Sequence, residues 1–170
     1  MKLENYIRDV EDFPKKGILY KDITPLLKSH EASSMALDLF IEKLKNQKID
    51  KVVGIESRGF MFGILLAQRL KVGFIPIRKP GKLPAETLQS TYDLEYGQDT
   101  IEIHKDAIQP GEKILLHDDV LATGGTAAAA CKLIEELDGK IIQINFLLEI
   151  ASLNGAKKID KYPKVSLLNY

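Results

Sequence analysis

The sequence predicts an α/β fold in which a mostly parallel central sheet is flanked by helices, and three observations carry that expectation. Short apolar runs of buried-strand length recur along the chain: Lys51-Val52-Val53-Gly54-Ile55, Val72-Gly73-Phe74-Ile75-Pro76-Ile77 and Ile114-Leu115-Leu116. Two of them pass through a brief polar turn into a longer helix-forming stretch, residues 60–70 and 127–137. The side chains richest in chemistry stand in turns just past strands, where open α/β sheets bind ligands. With 170 residues and 45% hydrophobic content, the chain is expected to form a single domain, 1–170.

Composition narrows the partners. The 24 basic and 24 acidic residues cancel, which removes the electrostatic basis for non-specific nucleic-acid or membrane binding and points to a small-molecule partner. The single cysteine, Cys131, rules out an internal disulfide and falls on the apolar face of a helix, so a core position in a reducing cytoplasm is expected. The first nine residues interleave charged with apolar side chains, unlike a signal peptide, and no stretch is long and apolar enough to span a membrane.

Taken in order, Leu3, Tyr6, Ile7 and Val10 fall at helical spacing and predict a short amphipathic helix that ends near Phe13-Pro14. Residues 17–27 predict an edge strand running into a one-turn helix opened by Thr24-Pro25. Ala36, Leu37, Phe40, Ile41 and Leu44 form the stripe of a helix packed on the sheet. The two arms 90–97 and 99–104 read as a polar hairpin, and so much polar chain in a compact domain suggests a mobile lid. Residues 140–150 and 164–168 predict two further strands, and 155–159 a turn of no evident chemistry. His30 and His104 are expected at the surface. His117 is expected to be a partly buried strand histidine satisfied by hydrogen bonds, since no cysteine or second histidine stands at metal-ligand spacing.

The stretch that organises the chain is Ile114-Leu115-Leu116-His117-Asp118-Asp119-Val120-Leu121-Ala122-Thr123-Gly124-Gly125-Thr126, followed by an alanine-rich helix. Gly124 and Gly125 let main chain approach a ligand, and the free N–H groups opening the helix, with the Thr123 and Thr126 hydroxyls, converge on one place suited to a phosphate. No lysine follows the second glycine, so this is not the nucleoside-triphosphate loop. The adjacent acids read, from the residues alone, as a solvated strand end, a Mg²⁺ site or acceptors for vicinal hydroxyls; with the phosphate loop beside them, they point to a ribose 5-phosphate. Two other turns stay open on chemistry alone: Arg58 after the strand 51–55, and Arg78, Lys79 and Lys82 after 72–77, which read equally as surface charge or as partners for a pyrophosphate.

Residues 115–126 resemble the phosphoribosyl-pyrophosphate (PRPP) motif of the type I phosphoribosyltransferases, with His117 where that family usually has an apolar residue. The resemblance covers nearly the whole chain and is most specific to its adenine-using branch. It implies a small N-terminal hood, a flexible hairpin lid, and transfer of phosphoribose from PRPP to adenine, giving AMP and pyrophosphate. By the resemblance, Asp118 and Asp119 hold the ribose hydroxyls; Ala122, Thr123, Gly124, Gly125 and Thr126 bind the 5′-phosphate; Glu56, Ser57, Arg58 and Gly59, with Arg78, Lys79 and Lys82, take the pyrophosphate. Leu19, Tyr20, Lys21 and Leu121 are implied to line the purine site, with Lys21 where the family often has arginine. In Leu94-Glu95-Tyr96-Gly97, Glu95 is implied to handle the proton and Tyr96 to belong to the lid. The resemblance further implies Mg²⁺, bound mainly through PRPP and near Asp118, and a homodimer. A transferase for another purine (hypoxanthine, guanine or xanthine) shares the PRPP loop, and a non-catalytic PRPP sensor is a third reading that a neutral chain without a nucleic-acid-binding module does not favour.

Overall fold

The computed structural model describes residues 2–94 and 97–170. Glu95 and Tyr96, implied above as proton handler and lid residue, lie outside the described residues.

Five parallel strands form the central sheet: β3 (Lys51–Ile55), β4 (Gly73–Ile77), β7 (Lys113–Leu121), β8 (Lys140–Glu149) and β9 (Lys164–Asn169), in the order β4-β3-β7-β8-β9. Alternation along β3 sends Val53 and Ile55 to one face and Val52 to the other, so each face builds its own core. On one side α4 (Gly125–Glu136) packs Ala130 and Ile134 over Val53, Leu116 and Phe146. On the other, α2 (His30–Lys43) and α3 (Gly59–Leu70) pack Phe40, Phe62 and Leu66 over Val52, Leu115 and Leu147. The helix α2 starts where Ser29 caps it, its hydroxyl accepting the Ala32 N–H at 3.2 Å.

Strand order reverses between β3 and β7: β3 leads through α3 to β4 on one side, and β7 leads through α4 to β8 on the other. The two crossovers therefore leave on opposite faces, and a crevice opens between the carboxyl ends of β3 and β7. Two small antiparallel units stand beside this sheet. One is the hood, β1 (Arg8–Glu11) paired with β2 (Leu19–Asp22) and followed by α1 (Thr24–Lys28); the other is the hairpin β5 (Thr87–Asp93) and β6 (Gln98–His104).

The N-terminal helix expected over residues 3–10 is not formed. A single 3₁₀ turn, Leu3–Tyr6, gives way to β1, in which Val10 pairs with Tyr20. Helical spacing of four apolar residues is also met by a turn followed by a strand, and ladder bonds with ion pairs decide between them. Arg8 meets Asp22 at 2.6 Å and Lys21 meets Asp9 at 2.7 Å, fixing the antiparallel register.

Candidate active site

Three turns at the carboxyl ends of β3, β4 and β7 surround one cleft of about 320 Å³. Its lining includes Ser57, Arg58, Lys79, Asp118, Asp119 and Thr126. The phosphate-loop residues enclose a tighter hollow of about 60 Å³ next to it, lined by Asp118, Leu121, Ala122, Thr123, Gly124 and Thr126 among others.

Gly124 takes φ +76° at the start of α4, a left-handed conformation that suits glycine and turns the following N–H groups toward the hollow. Its backbone touches that of Gly155, and a Cβ on Gly155 would run into the Ala122 carbonyl. The segment 155–159, which showed no chemistry in sequence, thus buttresses the phosphate loop from behind. The sequence signal for it, Asn154-Gly155, was no more than a turn dipeptide. The Thr126 hydroxyl donates to the Tyr92 hydroxyl of the hairpin at 3.0 Å, while Thr123 is exposed.

Asp119 is 4% exposed at the end of β7. The Arg58 Nε lies 2.8 Å from its Oδ2, close enough for an ion pair, yet its N–H is not aligned for a hydrogen bond and that oxygen has no hydrogen-bond partner among the described residues. Asp118 Oδ1 accepts the Asp119 N–H at 2.9 Å. Gly59 allows this closeness: a Cβ there would come within 2.9 Å of the His117 carbonyl and 3.0 Å of Asp118 Oδ1. Burial and the neighbouring Asp119 carboxylate push the Asp118 carboxyl well above the ordinary range. Burial raises Asp119 as well, against the opposing pull of Arg58.

Glu56 fastens two of the turns together. Its carboxylate accepts the Lys79 N–H at 2.8 Å and the Arg78 Nε at 3.2 Å. Burial would raise its pKa, but these contacts outweigh that and hold the carboxyl below its usual value. Lys79 pairs through its ammonium with Asp99 of β6, and Tyr92 also donates to Asp99, at 3.1 Å. Arg78 and Lys82 are linked by a longer contact, guanidinium to carbonyl, at 3.4 Å.

The residues implied for the purine are divided. Tyr20 turns to the cleft side, where its hydroxyl accepts from Arg58 and its ring lies 5.0 Å edge-on from Phe13. Leu19 and Lys21, on the alternate face of β2, line a separate and mainly apolar cavity of about 480 Å³ with Ile150, Ser152, Leu153 and Tyr170. The Lys21 ammonium is taken by Asp9 and sits 4.0 Å over the Tyr170 ring. Leu121 is buried in the core beside the phosphate loop. Sequence reasoning missed Ile150 and Leu153; an apolar pair in the turn after a buried strand was the available signal. His117 is fully buried and edge-on to Phe40, and shares a 2.8 Å hydrogen bond with Asn145 through Nδ1. Its Nε2 has no hydrogen-bond partner among the described residues, so it is more deeply buried and less satisfied than expected. Cys131 is core, as expected, and burial pushes its thiol up to about 12.

A glycine turn opening a helix, an adjacent pair of acids and a cation-bearing turn meet at the switch point of a parallel sheet, where folds of this class bind phosphate-bearing ligands. The "Phosphoribosyl transferase domain" family matches residues 10–169, and the chain belongs to it. Within that family it stands among the adenine phosphoribosyltransferases. The enzyme of that name from Flavobacterium johnsoniae is 61% identical over 170 residues, covering 100% of both chains. The one from Christiangramia forsetii is also 61% identical, covering 100% of this chain and 99% of its own. The solved adenine phosphoribosyltransferase from Thermoanaerobacter pseudethanolicus superposes with a TM-score of 0.96 at 50% identity, covering 99% of this chain and 100% of that one. The Saccharomyces cerevisiae enzyme, solved with adenine and an imino-altritol bisphosphate, gives 0.93 at 41% identity, covering 97% and 96%.

Proposed function

We propose that this protein transfers the phosphoribosyl group of PRPP to adenine, forming AMP and pyrophosphate. The observation that carries the reading is the juxtaposition, around one cleft, of the Asp118–Asp119 pair, the phosphate loop and the cations Arg58 and Lys79. A ring nitrogen of adenine forms a bond to the anomeric carbon as the bond from that carbon to the pyrophosphate oxygen breaks. Positive charge grows on the sugar and negative charge on the leaving group, so stabilisation specific to the transition state needs acceptors beside the ring and cations beyond it. Asp118 and Asp119 hold the ribose hydroxyls next to the developing cation. The α4 N-terminus with Gly124, Gly125, Thr123 and Thr126 holds the 5′-phosphate, and Arg58, Arg78, Lys79 and Lys82 receive the pyrophosphate. Glu56 acts in this reading by tethering Arg78 and Lys79. The imidazole proton of the purine passes to Glu95, with Tyr96 beside it in the lid segment.

One feature supports a purine against the hood: Tyr20, whose hydroxyl meets Arg58, offers an aromatic face on the cleft side. With its charge already engaged by Asp9, Lys21 contributes main chain in this reading, and base recognition falls to the carbonyl and N–H of the β2 backbone.

The donors present suit Mg²⁺ bound chiefly by its substrate. Among the described residues no three His, Cys, Asp or Glu side chains gather as a metal cage, whereas the Asp118 carboxylate is a hard-oxygen donor lining the cleft, where substrate-borne Mg²⁺ could meet it. When bound, Mg²⁺ would neutralise charge on the departing pyrophosphate. No helix among the described residues is long and apolar enough to cross a membrane; cytoplasmic residence is proposed on the single buried, unpaired cysteine. A homodimer is proposed on the outer face of α3, where Met61, Ile64 and Leu65 are 44%, 49% and 43% exposed at neighbouring helical positions.

The test is a side-by-side assay of adenine, hypoxanthine, guanine and xanthine with PRPP and Mg²⁺. Adenine and hypoxanthine present opposite donor and acceptor orders, so a fixed main-chain site leaves buried groups unpaired against the wrong base. Adenine is expected to lead by at least about a hundredfold in kcat/KM, some 2.7 kcal/mol. Comparable turnover of another purine would remove the adenine assignment and leave the transferase standing.

A further inference from the structure

The turn carrying Arg78, Lys79 and Lys82 is punctuated by Pro80, Gly81 and Pro84, a composition with little structure of its own. Something outside the turn must hold its cations in place. Glu56 secures its first two residues. A second carboxylate, Glu102 of β6, reaches the turn further along, at Gly81, and has so far been given no role.

Glu102 is only 4% exposed, yet it forms no ion pair with any described residue. A buried carboxylate without a cation is costly unless hydrogen bonds compensate it. Here they do. Oε2 accepts the Gly81 N–H at 3.2 Å and Oε1 accepts the Gln89 side-chain amide at 2.5 Å. The Glu102 main chain meets Arg78 in both directions, at 2.9 and 2.7 Å, as an isolated antiparallel bridge. Two residues along the same face of β6, His104 Nε2 accepts the Ala85 N–H at 3.3 Å. The hairpin thus holds this stretch at Arg78, Lys79, Gly81 and Ala85, and Glu102 supplies the contacts at Arg78 and Gly81.

We propose that Glu102 is a positioning residue for pyrophosphate, acting through the turn and never touching the substrate. By clamping Gly81 and bridging Arg78 it presents the cations at the carboxyl end of β4 in one arrangement, so that binding the diphosphate need not first order the turn. The proposal rests on the reading of the cleft as a PRPP site.

The experiment compares the unaltered protein with Glu102→Ala, Glu102→Gln and Glu102→Asp. Steady-state kinetics are run with PRPP and adenine varied separately, and pyrophosphate binding with Mg²⁺ is followed by calorimetry. Glu102→Ala is expected to raise the KM for PRPP and the Kd for pyrophosphate about tenfold, while the KM for adenine stays within about twofold. Glu102→Gln should recover most of this, because its carbonyl can accept from Gly81 and the Gln89 amide can turn to accept from its new N–H group. If the alanine variant does not fold, Glu102→Asp carries the test, since the same charge on a shorter arm should give an intermediate rise. The proposal is overturned if the folded variants bind pyrophosphate within about threefold of the unaltered protein. It is equally overturned if the two KM values rise together, or if the glutamine variant is as impaired as the alanine one. Absence of pyrophosphate binding to the unaltered protein would instead overturn the reading of the cleft, and the proposal with it.

Discussion

Arg58 lies against Asp119 with Nε 2.8 Å from the carboxylate, and the same guanidinium donates to the Tyr20 hydroxyl. One side chain therefore joins the end of β7 to the hood, across the crevice in which the substrates are proposed to meet. The carboxylate oxygen it approaches is buried and accepts no hydrogen bond among the described residues, its charge met by the Arg58 guanidinium. Asp119→Asn preserves shape and removes charge. It is expected to lower kcat/KM about a hundredfold, some 2.7 kcal/mol of transition-state stabilisation. A loss of less than about threefold in a folded variant would mean that Asp119 serves the fold alone.

The raised Asp118 carboxyl gives a stability prediction of definite sign. Its folded-state pKa lies above the ordinary 3.8 because of burial and the adjacent Asp119, so the native chain binds more protons than the unfolded chain above that value. Stability contributed by this group is full at low pH and falls as pH rises through the window between the two pKa values. Asp118→Asn abolishes the loss. Its Tm at pH 8 should exceed that of the unaltered protein by roughly 2 °C, about 1 kcal/mol or less for a domain of this size, and the gain should shrink toward pH 4 while activity falls. Thermal unfolding at several pH values checks this, and a lowered Tm at pH 8 would contradict it.

His117 carries the opposite sign. Burial pushes its pKa down from 6.5 to about 4, the Asn145 hydrogen bond opposing this only in part. The unfolded chain then takes up the proton first on acidification, so the neutral ring supports the fold fully above about pH 6.5 and loses that support as pH falls toward 4. The effect is at most on the order of 3 kcal/mol. In Glu-rich or Asp-rich proteins other groups also titrate here, so the informative quantity is a difference. Denaturant unfolding of His117→Gln and the unaltered protein should converge in stability as pH drops from 7 to 4; a constant gap would show that the ring does not stay neutral.

Gly155 offers a test of the phosphate loop that avoids every residue proposed to touch substrate. A methyl there meets the Ala122 carbonyl, main chain that can yield only by moving the loop. Gly155→Ala should therefore raise the Kd for AMP about tenfold or more, near 1.4 kcal/mol, and lower Tm. Unchanged AMP affinity, measured by calorimetry, would show that the loop absorbs the intrusion.

Local chemistry made much of the molecule legible beforehand. The strand–turn–helix units, the core place of Cys131 and the glycine turn at 122–126 follow from apolar run length, periodicity and glycine placement, all of which act between near neighbours in the chain. The parallel pairings of β3 with β4 and of β7 with β8 follow because a helix carries the chain back between the strands of each pair. What depends on distant partners was not legible. Residues 8–11 form a strand because residues 19–22 lie opposite, and no spacing within residues 3–10 contains that fact. Strand parity, not residue type, sends Tyr20 to Arg58 while Lys21 goes to Asp9 and Tyr170. Glu56 and Glu102 resemble any other strand-end or strand acid until the fold brings the turn at 78–82 onto them, and Gly155 gains its role only from backbone contact with a loop some thirty residues earlier. The sequence by itself determined which groups could do chemistry. Tertiary structure alone decided which of them face one another, because packing and register are set by burial and hydrogen-bond satisfaction over the whole chain.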